Sequence, residues 1–221
     1  MPSPRGPHSP HSPRIDQPRP RHLTPAQLHD LTDLGYAEGR SFSAEVFTGD
    51  LSGTGLVECS LQEVVVDEAD FSGFSCAESQ FSRLHAPHLK APRSSWRDVT
   101  IQGSRIGAAE LYESGWTSVH LQDSKLDLLN LRGATLTDVL VENCSITELD
   151  LTGATAMRVQ FIGCTIETLE VSQSRLSHTD LRGAEFRRVV GLEGLRGASI
   201  SSSQLTELAP ALAAQAGLQV L

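Results

Sequence analysis

The stretch LRGATLTDVLVENCSITELDLTGAT, residues 131–155, has apolar residues on a beat that fits neither common period. A buried helix face repeats every three or four residues and a half-buried strand every second one. Here Leu131, Leu136, Val141, Ile146 and Leu151 fall every fifth residue. The backbone must therefore turn its side chains inward once every five residues.

Followed outward at the same phase, the beat runs from Val46 to Phe186. None of the positions on it is charged and none is glycine, in a chain that is only 39% hydrophobic. Two residues before each sits a second, smaller inward candidate, such as Ala69, Ser79, Ser104, Ala134, Cys144, Ala154, Cys164 and Ala184. The three remaining places of each five carry nearly all the charge.

A unit such as Ala69-Asp70-Phe71-Ser72-Gly73 resembles the pentapeptide repeat family, and the likeness covers Ala44 to Arg187. That resemblance implies an all-β solenoid, a right-handed quadrilateral parallel β-helix in which four pentapeptides form one coil. A coil of that kind requires a second period of twenty, and the chain has one. Leu129, Leu149 and Leu169 form one such series, and Val99, Val119, Val139 and Val159 another. Gly53, Gly73, Gly103, Gly133, Gly153, Gly163 and Gly183, with Asn143, occupy the place where a β-turn calls for positive φ. Between Arg83 and Arg97, undersized Ala86 and Ala91 are offset by oversized Leu84 and Leu89. Trp96 and Trp116 are likewise balanced by Ser94 and Ser114. Conserved volume predicts an unbroken coil through this region.

The ends read as caps, which a solenoid needs. LTPAQL, residues 23–28, predicts a helix with Thr24 as N-cap, Pro25 as its first residue, Gln27 as capping-box partner and Gly35 as its stop. ISSSQL, residues 200–205, repeats the pattern with Ser201 and Gln204, and Pro210 should kink or split the helix that follows before Gly217 ends it. Its apolar stripe, Leu205, Leu208, Leu212 and Ala216, suits either a homodimer contact, as in relatives with such a helix, or a plug for its own coil. The expected organisation is a Pro/Arg/His-rich disordered tail (1–22), a capping segment with a short helix (23–43), seven coils making a rod of roughly 34 Å at ~4.8 Å each (44–190), and a C-terminal cap and helix (191–221).

Without the tail, 14 basic and 26 acidic residues remain, so the body is acidic and ill suited to direct nucleic-acid binding. No apolar run is long enough to span a bilayer and no signal-peptide core is present, which points to a cytoplasmic protein. Cys59, Cys76, Cys144 and Cys164 all fall on inward positions without metal-ligand spacing. His85 and His88 with Asp98 point outward and gather no further ligand twenty residues away. No phosphate loop, nucleophile elbow or cleft is visible, so neither enzyme activity, nor a metal, nor a cofactor is expected.

What remains is outward charge. One acidic field holds Glu58, Glu63, Asp67, Glu68, Asp70 and Glu78; a second holds Asp123, Asp127, Asp138, Glu142, Glu148, Asp150, Glu167 and Glu170. Between them lies a basic waist of Arg83, Lys90, Arg93, Arg97 and Arg105. Some pentapeptide repeat proteins look like B-form DNA in width and charge and bind type II topoisomerases, protecting gyrase from quinolones or other poisons. The loop-free coil and C-terminal helix are similar to those members, and the resemblance implies a partner such as DNA gyrase. The alternative is a scaffold that binds another protein through a flat β-face. One continuous acidic stripe would favour the first, and scatter over several faces the second.

Overall fold

A computed structural model describes residues 9–219. Every fifth residue from Leu51 to Phe186 is inward, and none is more than 8% exposed. Strands stack in parallel at a twenty-residue offset, for example Trp96 on Trp116 on Leu136 and Leu129 on Leu149 on Leu169. The outcome is a parallel β-solenoid whose strands form a twelve-stranded and an eight-stranded sheet. Ten strands succeed one another along the longer ladder, from Thr24–Pro25 to Ala198–Ser199, giving nine rises. At ~4.8 Å per rise the stack is ~43 Å long. It exceeds the expected seven coils because segments read as caps at both ends also pair as strands.

The first turn sets its own phase. Phe42 and Phe47 are buried at 0% and 1%, whereas Val46 is 50% exposed. Tyr36 pairs with Gly55 and Ser41 with Ser60, an offset of nineteen, and the register shifts between Phe47 and Gly49. The coils thus begin before Ala44, and Val46 leaves the inward set. Thr24 and Pro25 form a strand paired with Arg40 and Ser41 instead of starting a helix. The Thr24 and Ala26 N–H groups donate to Gly39 and Ser41, so Thr24 is already committed to the ladder. Helix α1 is Leu28–Leu34, capped at Gln27, whose N–H donates to Asp30 Oδ2 at 2.8 Å. Gly35 (φ 68°) ends it as expected.

The middle stretch is continuous: His85–Lys90 and Ser95–Gln102 stack in register on their neighbours. Phe71, Phe74, Trp96 and Trp116 form a chain of ring contacts with centroids 5.1–6.3 Å apart. Trp96 Nε1 donates to Ser94 Oγ at 2.8 Å, while among the described residues Trp116 Nε1 has no partner. Most expected turn glycines have positive φ, and Gly183 does not. A Cβ there would run into the Phe161 carbonyl, so Gly183 serves close packing.

At the far end Leu192–Leu195 is a 3-10 turn, and Ala198–Ser199 pairs with Thr179–Asp180 at an offset of nineteen. Helix α2 (Ser202–Gln215) is capped as expected: Ser201 Oγ accepts from the Gln204 N–H, and Gln204 Oε1 from the Ser201 N–H. It runs through Pro210 without the expected split. Pro210 is exposed and so is Thr206, whose carbonyl loses its helical donor and can be hydrated instead. Gln204 is buried, and its Nε2 donates to the Leu181 and Ala184 carbonyls, closing the last coil.

The tail departs most from expectation. Residues 9–22 lie along the solenoid: His11, Arg14 and Asp16 donate backbone N–H groups to His178 Nδ1, Asp138 Oδ1 and Ser118 Oγ at 3.3, 2.9 and 2.9 Å. The part of the tail before residue 9 lies outside the described residues. No helix among the described residues is long and apolar enough to cross a membrane.

Candidate partner-binding surface

Outward residues twenty apart form columns up the solenoid, so linear charge fields become vertical neighbours. Arg83 Nη2 meets Glu63 Oε1 at 2.8 Å, Lys90 Nζ meets Asp70 Oδ2 at 2.6 Å, and Arg97 Nη2 meets Glu78 Oε1 at 3.5 Å. Three members of the basic waist thus neutralise acids of the coil below. Arg158 grips Asp138 through two 2.6 Å bonds, and Arg132 reaches Asp150 at 3.3 Å.

The fourteen acids singled out from sequence fall into three groups. Glu58, Glu78 and Asp138 share one corner column with Asp98, the column on which the tail lies. Glu63, Asp123 and Glu142 lie around the next corner; the Asn143 amide donates to Asp123, and Glu142 Oε2 stands 3.1 Å from His120 Nε2. Asp67, Glu68, Asp70, Asp127, Glu148, Asp150, Glu167 and Glu170 lie together along a third edge.

That third edge is built on one ladder: Asp50, Asp70, Lys90, Glu110, Asn130, Asp150 and Glu170 pair in register. Several of these side chains fold back on their own corner. Oδ1 of Asp50, Asp70 and Asp150 accepts the N–H two residues on at 2.8–2.9 Å, and Glu170 Oε1 does the same at 3.0 Å. This Asx-type turn explains why the position selects Asp. The Lys90 and Ser72 contacts hold the Asp70 carboxyl down at about 2, and Ser52 lowers Asp50.

Asp67, Glu68, Asp127, Glu148 and Glu167 flank this ladder and are exposed. With Asp50 and Glu170 they make seven carboxylates on one edge that form no ion pair among the described residues. Asp50 and Glu110 were missed in the sequence; their numbers leave the same remainder on division by twenty as Asp70, Asp150 and Glu170. The edge is interrupted where Pro87, His88, Gly107 and Ala108 replace acids. A Cβ at Gly107 would strike the Pro87 carbonyl, so only glycine lets this coil settle on the one below.

Four five-residue sides fill each twenty-residue step, without an inserted loop, from Leu51 to Phe186. This is the repeat architecture of a pentapeptide-repeat solenoid. No protein-family model matches it, and no curated protein matches it. Among solved structures it is similar to full-length QnrB1, a plasmid-mediated fluoroquinolone resistance protein, at 17% identity, over 80% of this chain and 99% of that one, with a TM-score of 0.34. A trypsin-treated QnrB1 gives 14% identity, coverage of 84% and 100%, and a TM-score of 0.32. HetL, a pentapeptide repeat protein involved in heterocyst differentiation regulation from the cyanobacterium Nostoc, gives 13%, 76%, 90% and 0.19. Likeness at this level says nothing of what this chain binds.

The other candidates resolve into structure. All four cysteines are buried and free. The Cys144 thiol donates to the Leu121 and Glu142 carbonyls and the Cys164 thiol to those of Val141 and Ile162, and burial pushes Cys144 up to about 12. Twenty and forty residues earlier, Ser124 and Ser104 bond corner carbonyls in the same way. His88 pairs with Glu110 at 3.3 Å, and no group of metal-ligating residues occurs among the described residues. The C-terminal stripe is divided: Leu208 is buried and Leu212 packs against the core, while Leu205 and Ala216 are exposed.

Proposed function

We propose that the edge from Asp50 to Glu170 is a binding surface for a basic protein partner, and that the solenoid acts without catalysis as a mimic of a nucleic-acid backbone. The observation that carries this is the seven carboxylates without an ion pair among the described residues on that edge. Asp50, Asp67, Glu68, Asp70, Glu110, Asp127, Glu148, Asp150, Glu167 and Glu170, with Lys90 and Arg132 paired to two of them, sum to a net charge of −8. Lys125 stands near Asp127 at the flank, and Arg187 and Arg188 close the edge one coil above Glu167 and Thr168. Six rises of ~4.8 Å separate Asp50 from Glu170, about 29 Å in all. One net charge per ~3.6 Å compares with one per ~3.4 Å along a single DNA strand. The match is to one strand of a duplex, so the fitting partner has a basic groove that tracks a DNA backbone. DNA gyrase or another type II topoisomerase is such a partner, with protection from quinolones as the consequence.

The neutral gap at Pro87, His88, Gly107 and Ala108 favours a second reading, a scaffold that offers two separate acidic patches to a partner unrelated to DNA. Gyrase supercoiling assays with and without a quinolone separate the two. The mimic inhibits supercoiling at micromolar concentration or relieves drug-induced cleavage, and the double variant Glu148→Lys, Glu167→Lys loses the effect. No effect of the native protein on gyrase from a matched host rejects the topoisomerase reading and leaves the scaffold.

A further inference from the structure

A second surface stands apart from that edge. Glu58, Glu78, Asp98, Ser118, Asp138, Arg158 and His178 form one corner column, each with φ between 50° and 56°. The tail climbs this column as an extended strand. Its contacts advance in step with the coils: Asp16 meets Ser118, Arg14 meets Asp138, and His11 meets His178, where the two imidazoles stack at 4.1 Å. From Asp16 to His11, five residues therefore cross three coils. A polyproline strand rises ~3.1 Å per residue, so five residues cover ~15.5 Å. Three coil rises of ~4.8 Å come to ~14.4 Å. The two repeats agree to about 1 Å.

The side chains follow the same rhythm. Pro10, Pro13, Ile15, Pro18, Pro20 and Leu23 are partly buried, and the residues between them are exposed. Steps of three, two, three, two and three turn an apolar residue to the solenoid, while the intervening His11, Arg14 and Asp16 N–H groups find acceptors. Arg19, Arg21 and His22 line an open cleft opposite Glu58, Glu78 and Asp98. Shape, hydrogen bonding and charge thus agree along one lane.

We propose that this corner lane is a recognition surface for an extended proline-rich strand, and that residues 9–22 are its resident ligand. A partner carrying such a segment gains the lane only by displacing this strap. Three backbone hydrogen bonds and a row of half-buried prolines hold the strap, so it opens well before the coil unfolds.

The test uses the full chain and a double variant in the strap, Ile15→Asp with Pro18→Asp, which leaves the solenoid sequence intact. Amide exchange at Arg14 and Asp16 is expected to be at least tenfold faster in the variant, and native protection should be unchanged by hundredfold dilution. A fluorescent peptide with the sequence of residues 9–22 should bind the variant at least tenfold more tightly than the native chain. Exchange at the same rate in both proteins, equal peptide affinity for both, or no binding to the variant overturns the proposal. Protection lost on dilution overturns the intramolecular assignment.

Discussion

Arg158 and Asp138 are twenty residues apart in sequence, and their side chains meet through two bonds of 2.6 Å. The pair is mostly covered, at 19% and 11% side-chain exposure, and Asp138 also accepts the Arg14 N–H. An exposed ion pair contributes about 0–1 kcal/mol, and breaking a buried one costs about 3–5 kcal/mol. Arg158→Ala is therefore expected to cost about 2 kcal/mol, read as a lower urea midpoint at unchanged slope.

Acid should weaken the coil through its paired carboxylates. Lys90 holds Asp70 down at about 2, Arg158 lowers Asp138 and Arg182 lowers Asp180. A carboxyl with a depressed folded-state pKa stabilises fully above its unfolded value and loses that contribution as pH falls through the folded value. For Asp70 the window runs from about 3.9 down to about 2. Thermal melts should show Asp70→Asn less stable than the native protein at pH 6, with the gap closing by pH 2.

Gln204 is the stopper of the last coil, buried with its amide on the Leu181 and Ala184 carbonyls. Gln204→Leu leaves a buried carbonyl without its donor and should cost about 2 kcal/mol. Because α2 closes the stack, amide exchange should rise first in the strand Arg175–Asp180 and only weakly near Trp96.

Many corners place a non-glycine residue at positive φ, among them Gln173 at 60°, exposed to solvent. The left-handed conformation costs such a residue about 1–2 kcal/mol, and glycine gives back about 0.4–1 kcal/mol through unfolded-chain entropy. Gln173→Gly should gain about 0.5 kcal/mol in denaturant unfolding. Gly53→Ala (φ 67°), the reverse change, should lose stability.

The interior was legible because its signal is periodic: a beat of five and a repeat of twenty place Leu129 on Leu149 whatever lies between. The surface was less so. Arg83 and Lys90 read in sequence as a waist between acidic fields, but a side chain on a coil is nearest to residues twenty away, and both neutralise the coil below. Dividing the acids by twenty would have exposed the edge through Asp50 and Glu110. Val46 failed because one residue is missing from the first turn and is absorbed between Phe47 and Gly49, which no local pattern marks. The tail failed for a different reason. Composition describes a proline-rich segment alone and is silent about a lane whose rise happens to match it.

The claim that the edge from Asp50 to Glu170 stands in for a DNA strand is tested most directly by competition on gyrase. The protein would be titrated against fluorescent linear DNA bound to the enzyme, between 50 and 200 mM salt. Displacement of DNA with affinity falling at least tenfold across that range, and lost in Glu148→Lys, Glu167→Lys, is the expected result. Binding beside DNA without displacing it, or displacement by the double variant as strong as by the native protein, would contradict it.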